Sequence, residues 1–198
     1  MGTRTLILFA YILISACLFI EPLYPNEQFL QNAHFPVASF FLWRMRRNMA
    51  LSLTGYTCIV LFLLLHAFGA RWIYSFVPYD SWFGIDEVFG FKRNMFDRFV
   101  HFMYGILLFF PASDVFQLRF NIKVGAAGVL SLIFIMASSA FYEVFEWLIA
   151  VGLSPEQAEA YNGQQGDIWD GQKDMALATL GAMVGFTGSW FAMVRSKN

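Results

Sequence analysis

The chain has 198 residues, 58% of them apolar and 14% charged, with 24 phenylalanines and a formal net charge of -1. Such a composition excludes an ordinary soluble domain and a disordered chain, and it leaves no basic field for nucleic acid or for anionic lipid. The two cysteines, Cys17 and Cys58, lie inside apolar runs and read as small packing residues, with no disulfide framework.

Long apolar runs alternate with short charged loops, and runs of about 17 to 25 residues are what a bilayer core requires of helices. Alternating barrel strands are absent, so the expected class is all-α. The expectation is one integral membrane domain over residues 1–198 with about six transmembrane helices, five being the alternative.

The first span covers 5–20. Its Ile14-Ser15-Ala16-Cys17 loosely resembles a lipoprotein cleavage box, but Leu18, Phe19 and Ile20 continue the apolar run and suit an uncleaved helix better. The second, 29–45, contains Gln31, Asn32, His34 and Pro36 and reaches only about 25 Å at about 1.5 Å per residue, so it crosses thinly or lies at the interface. A third span, 49–68, runs into HAFGARWIYSFVPY, which places His66 a little more than a turn before Arg71. Residues 80–90 carry acids among aromatics and read as a surface loop. Spans at 99–116, 122–149 and 175–194 complete the set.

With six crossings, one side holds Arg4, Arg44, Arg46, Arg47, Arg119, Lys123, Arg195 and Lys197, with Asp114 as its only acid. The other holds Arg71, Lys92, Arg93, Arg98 and Lys173 against the remaining acids. The positive-inside tendency puts the C-terminus in the cytoplasm and the acidic side outside.

Three segments bring ionisable groups to that acidic side: RNMFDRFVHFMYG, SSAFYEVFEWL and GQQGDIWDGQKDM. Ionisable residues are costly in hydrocarbon, so the economical reading is one polar site where helix ends meet. Asp97 and His101, four apart, share a helix face. His101 is then a general acid or base held in one tautomer by Asp97, a metal ligand backed by the same carboxylate, or a packing histidine bonded to it. Glu143 and Glu146, three apart between Tyr142 and Trp147, can hold a divalent cation or share a proton; the plainer alternative is that both face an aqueous loop. Asp167, Asp170 and Asp174 form an acidic stripe, with Asp167 or Asp170 expected to cap the last helix and Trp169 at headgroup level. Arg71 and Arg98 could pair with these acids or receive an anionic phosphate or carboxylate. Gly181 and Gly185, with Ala178 and Gly188 nearby, read as helix packing.

The catalytic candidates are therefore Asp97, His101, Glu143, Glu146, Asp170 and Asp174, and the ligand-binding candidates Arg71, Arg98, Asp167 and Trp169. A divalent cation is the cofactor such a set could hold, its identity open. No GxGxxG, GK[ST], HExxH, CxxC or GxSxG occurs, so the usual nucleotide, zinc-protease and serine-hydrolase readings have no support.

HAFGARWIYSFVPY, RNMFDRFVHFMYG, SAFYEVFEW and GQQGDIWDGQKDMALATLGA together resemble the uncharacterised bacterial inner-membrane family typified by YjdF, over residues 65–185. The resemblance implies a bacterial inner (cytoplasmic) membrane location and brings no assigned reaction. More distantly, an aspartate and histidine one turn apart, then an acid, then aspartates opening a small-residue helix resembles VanZ-like proteins, tied to glycopeptide tolerance and the cell envelope. That resemblance maps Asp97, His101, Glu143 or Glu146, Asp170 and Asp174 to its polar positions, with Asp174 and Met175 near where VanZ-like chains usually carry an Asn.

These readings converge on an outward-facing Asp/His/Glu cluster that binds or modifies a lipid-linked or headgroup-bearing envelope molecule. A carrier coupled to ions is one alternative, and a non-catalytic scaffold locked by its polar groups is another. The bilayer is the expected partner, with no nucleic acid; oligomeric state is open.

Overall fold

The computed structural model describes residues 2–47 and 51–195, which leaves the expected onset of the third span at Met49, and Lys197 of the basic side, outside the described residues. Every regular element among the described residues is helical. Among the described residues, three helices are long and apolar enough to cross a membrane. They carry large apolar side chains on their outer surfaces, Phe134, Phe141, Trp147 and Leu148 among them, which lipid accommodates and water would not.

Helix α1 (Thr3–Leu18) continues unbroken through Cys17. The expected second span is corrected: it is not one helix but two, α2 (Pro25–Gln31) and α3 (Phe35–Met45). The interruption falls at Asn32 to His34, just before Pro36, whose ring fits the first turn of a helix and not its interior. Helix α4 (Leu53–Arg71) is capped by Ser52, whose hydroxyl accepts from the Gly55 amide. Its buried Tyr56 and Val60 pack with Leu8 and Tyr11 of α1 and with Leu42 of α3. Two short helices, α5 (Tyr79–Phe83) and α6 (Ile85–Phe89), fill the expected surface loop.

The remaining helices position the site. Helix α7 (Phe96–Asp114) ends in a π-helical turn, Val115–Arg119. Helix α8 (Val124–Val151) leads to the short α9 (Pro155–Asn162), which Gly163 ends in the left-handed region at φ 63°. Helix α10 (Asp170–Arg195) lies against α7, both starting at the same end of the bundle. A methyl group on Gly105 would collide with the Ala178 carbonyl and the Ala182 amide, and one on Gly181 with the Phe102 carbonyl, so the two backbones touch. Gly185 faces the Phe109 ring, whereas Gly188 faces open space and is no part of this seam. At the opposite end of α7, the amide and hydroxyl of Ser52 both donate to Asp114 Oδ2, at 2.9 and 2.6 Å. That carboxylate sits at the N-terminus of α4, where helix dipole and free amides favour it.

Candidate functional site

Asp97 lies in the first turn of α7 and Asp170 in the first turn of α10, so two helix N-termini with their positive dipole ends converge on one acidic region. The end of α8 adds Glu143, which lies so close over Gly171 that a Cβ there would come within 2.7 Å of its carboxylate. The polar groups sort into two tiers.

The outer tier is a lattice of opposite charges. Asp170 Oδ1 accepts from Arg93 at 2.5 Å and from Arg98 at 2.9 Å, while Asp167 Oδ2 accepts from Arg98 and Lys173, both at 2.6 Å. Arg93 also donates to the Gln164 carbonyl at 3.1 Å and the Gly163 carbonyl at 3.3 Å. Beside it the Asn94 amide donates to Gln165 Oε1 at 2.8 Å, and Gln165 returns its amide to the Asn94 carbonyl at 3.2 Å. The segment before α7 is thus bolted to the loop before α10. The ammonium of Lys173, then the Trp169 amide, hold the Asp167 carboxyl well below the usual carboxylate range. Asp167 makes an Asx turn to that amide at 3.1 Å, and the Asp170 carboxylate faces the arginines. Trp169 itself is exposed.

The inner tier is different. One donor atom each from Asp97, His101 and Asp174 lie within 4.8 Å of one another. His101 Nε2 stands 3.6 Å from Asp97 Oδ1, and its Nδ1 stands 3.8 Å from Glu143 Oε1. Both separations exceed a good hydrogen bond, so the imidazole is flanked but not tied. Asp174 is 2% exposed and its Oδ1 has no hydrogen-bond partner among the described residues; Glu143 Oε1 is also buried without one there. Unsatisfied carboxylate oxygens in a buried setting are costly, and shared protons or a cation are the physical remedies.

Next to this tier is a cavity of about 330 Å³ lined on one side by Asp97, His101 and Glu146 and on the other by Gln31, His34 and His66. The break between α2 and α3 brings Gln31 and His34 there, and the His34 and His66 rings meet edge to face with centroids 4.8 Å apart. Tyr74, just past α4, contacts His66 Nδ1 at 2.5 Å, and burial pushes its phenol well above the ordinary tyrosine range. Tyr161 at the cavity's edge is pushed up to about 12, by burial first and Glu146 second, so it keeps its proton.

Of the sequence candidates, Asp97, His101, Glu143 and Asp174 share the inner tier, Glu146 lines the cavity, and Asp167, Asp170 and Arg98 form the outer lattice. Arg71 stands apart. Its guanidinium donates to the carbonyls of Leu18 at 2.9 Å and Ile20 at 2.5 Å, closing the C-terminal end of α1, and it stacks on Trp72. Arg93 was not among those candidates, although a segment with three aspartates needs more cations than Arg98 and Lys173 supply. His34, His66, Gln31 and Ser139 were also missed as lining residues, since only the tertiary fold carries them to α7 and α8.

The fold and site define an all-helical membrane protein with a buried polar cluster at one end of its long helices. The chain belongs to the family described as a predicted membrane protein (DUF2238), whose model matches residues 3–196. It is similar to the inner membrane protein YjdF of Escherichia coli (strain K12), with 33% identity over 130 residues, which is 65% of this chain. The match spans 60% of that relative's length. No solved structure matches the chain.

Proposed function

We propose that this is a multi-pass protein of the bacterial inner membrane, C-terminus cytoplasmic, in which Asp97, His101 and Asp174 hold a divalent cation at the outer end of the bundle. The site then serves to bind or modify a headgroup-bearing or lipid-linked envelope molecule. The orientation rests on the excess of basic residues on the opposite side. The observation that carries the site is the grouping of three donor atoms within 4.8 Å around a deeply buried Asp174 whose Oδ1 is unpartnered.

One imidazole and two carboxylates suit zinc or manganese better than calcium, which prefers oxygen ligands alone. Such a cation polarises a phosphoryl or carbonyl oxygen when bound. With His101 engaged, Glu143 beside its Nδ1 is the carboxylate left to accept a proton from an incoming nucleophile; without a metal, His101 flanked by Asp97 and Glu143 takes that acid–base role. The VanZ-like order of polar positions agrees with a role in the envelope. A purely structural role suits the outer tier, whose opposite charges already satisfy one another. A carrier is less well supported, because the cluster lies at helix ends and carriers favour the midplane.

The test is titration of the purified protein with zinc and manganese after removal of bound metal. His101→Ala and Asp174→Asn should each weaken binding at least about tenfold, since ligands around one ion share its charge. Arg71→Ala should not. Equal affinity in the wild type and both ligand variants would remove the cation from the site.

A further inference from the structure

No lysine or arginine is among the described residues that line the cavity, and its acidic side chains are those of Asp97 and Glu146. The hydrogen bonds on its walls also have a direction. His66 Nε2 faces the Gln31 carbonyl at 3.1 Å, which can only accept, so that nitrogen carries the ring proton. In the neutral ring Nδ1 is then the acceptor, and the Tyr74 hydroxyl donates to it. Across the cavity, Ser138 gives its single proton to the Phe134 carbonyl at 2.6 Å and therefore accepts from Tyr104, also at 2.6 Å. Of the four tyrosines among the described residues that line the cavity, Tyr74 and Tyr104 thus have their protons committed to the wall and offer lone pairs to whatever enters.

Ser139 is 2% exposed, lines the same cavity, and its Oγ has no partner among the described residues; Gln31 Oε1 and Asn162 Oδ1 are likewise buried and unsatisfied there. Unpaired polar atoms on a cavity wall are the counterpart of a polar ligand. Between them stand aromatic rings, with Phe62 and Tyr104 edge to face at 5.2 Å. Phe141 and Phe145 also line the cavity yet are 72% and 49% exposed, so this wall reaches the flank of the bundle where lipid stands.

We propose that this cavity binds an organic ammonium group, with the Glu146 carboxylate as its counter-ion and the surrounding rings and lone pairs receiving its charge and its N–H donors. Carboxylate pairing and cation–π contact both favour such a group over an anion. The two arginines that an anionic ligand would have used are committed elsewhere, Arg71 to the end of α1 and Arg98 to Asp167 and Asp170. The inference rests on the polar cluster being a ligand site and names the ligand's chemistry; it does not need the divalent cation. Failure of zinc and manganese to bind would leave it standing.

The experiment measures the melting temperature of the protein in neutral detergent at pH 7, titrated with phosphatidylethanolamine, phosphatidylglycerol or free ethanolamine. The amine-bearing lipid should raise the melting temperature and the phosphatidylglycerol should not. Glu146→Gln should weaken the apparent affinity at least about tenfold, the loss of one charge-assisted contact. Free ethanolamine reproducing the whole shift would identify a soluble amine as the source, and a shift from the lipid alone would identify a headgroup. Equal shifts from the two lipids, or an unchanged affinity in Glu146→Gln, would overturn the proposal. Should Glu146→Gln fail to accumulate, the comparison of lipids on the wild-type protein still decides.

Discussion

The two tiers of the polar cluster lie side by side, draw on the same segments, and obey opposite rules. In the outer tier Asp167 and Asp170 meet Arg93, Arg98 and Lys173, and every carboxylate named there has a cation within hydrogen-bond reach. In the inner tier Asp97, Glu143 and Asp174 surround His101, and among the described residues unpartnered oxygens remain. Charge that is matched locally holds segments together. Charge left unmatched beside a cavity is expensive unless something else answers it, which is the usual mark of a working site in a membrane protein.

Removing a member of the matched tier should have the largest effect. Asp170→Ala removes the carboxylate that two half-buried guanidiniums share and leaves Arg98 only Asp167 and Arg93 mainly carbonyl oxygens, a loss of up to about 3 kcal/mol, the lower end of what breaking a buried pair from one side costs. Membrane abundance and melting temperature of that variant should both collapse. Normal accumulation would dissolve the distinction between tiers. The unmatched tier should behave in the contrary sense. Glu143→Gln relieves carboxylate crowding and leaves stability within about 1 kcal/mol of the wild type, or above it, while complementation of a deletion strain under envelope stress is lost. A fall in melting temperature as large as that of Asp170→Ala would make Glu143 a structural lock.

The smallest effect is one of acidity, at the rim of the lattice. The Asp167 carboxyl is held low by Lys173, so its contribution to stability is fully present above the ordinary carboxylate value near about 4 and disappears as pH falls through its lower value in the folded protein. The difference in melting temperature between the wild type and Asp167→Asn should be constant from pH 7 to about 5 and shrink below about 4. A difference that stays the same below about pH 4 would mean that Lys173 does not hold this carboxylate.

How far the sequence reached depends on whether a residue's neighbours are local. The common depth of Asp97, Glu143 and Asp174 was legible, because helix rise alone places each a turn or so from a span's end. The division of the acids between lattice and cavity was not. It depends on which carboxylates Arg93 and Arg98 reach across some seventy residues of chain, and no spacing rule encodes that. Span two shows a related limit: Asn32, His34 and Pro36 signalled weakness, but whether the helix bends or breaks was decided by the packing around it. Arg71 illustrates a third: a guanidinium near an acidic face invites an ion pair, yet it donates instead to the carbonyls at the end of α1.

Where α7 and α10 touch, glycine lets main chain rest on main chain, and such a contact tolerates almost no sliding. Asp97 stands eight residues before Gly105, and Asp174 stands four before Ala178 and eight before Ala182, the two residues between which Gly105 fits. Arms of about 12 and about 9 Å from one fulcrum put the two carboxylates at nearly the same height. The site therefore inherits its spacing from two fastenings, a pivot two turns away and the lattice of Arg93 and Arg98 on Asp170 that ties the ends of the arms together.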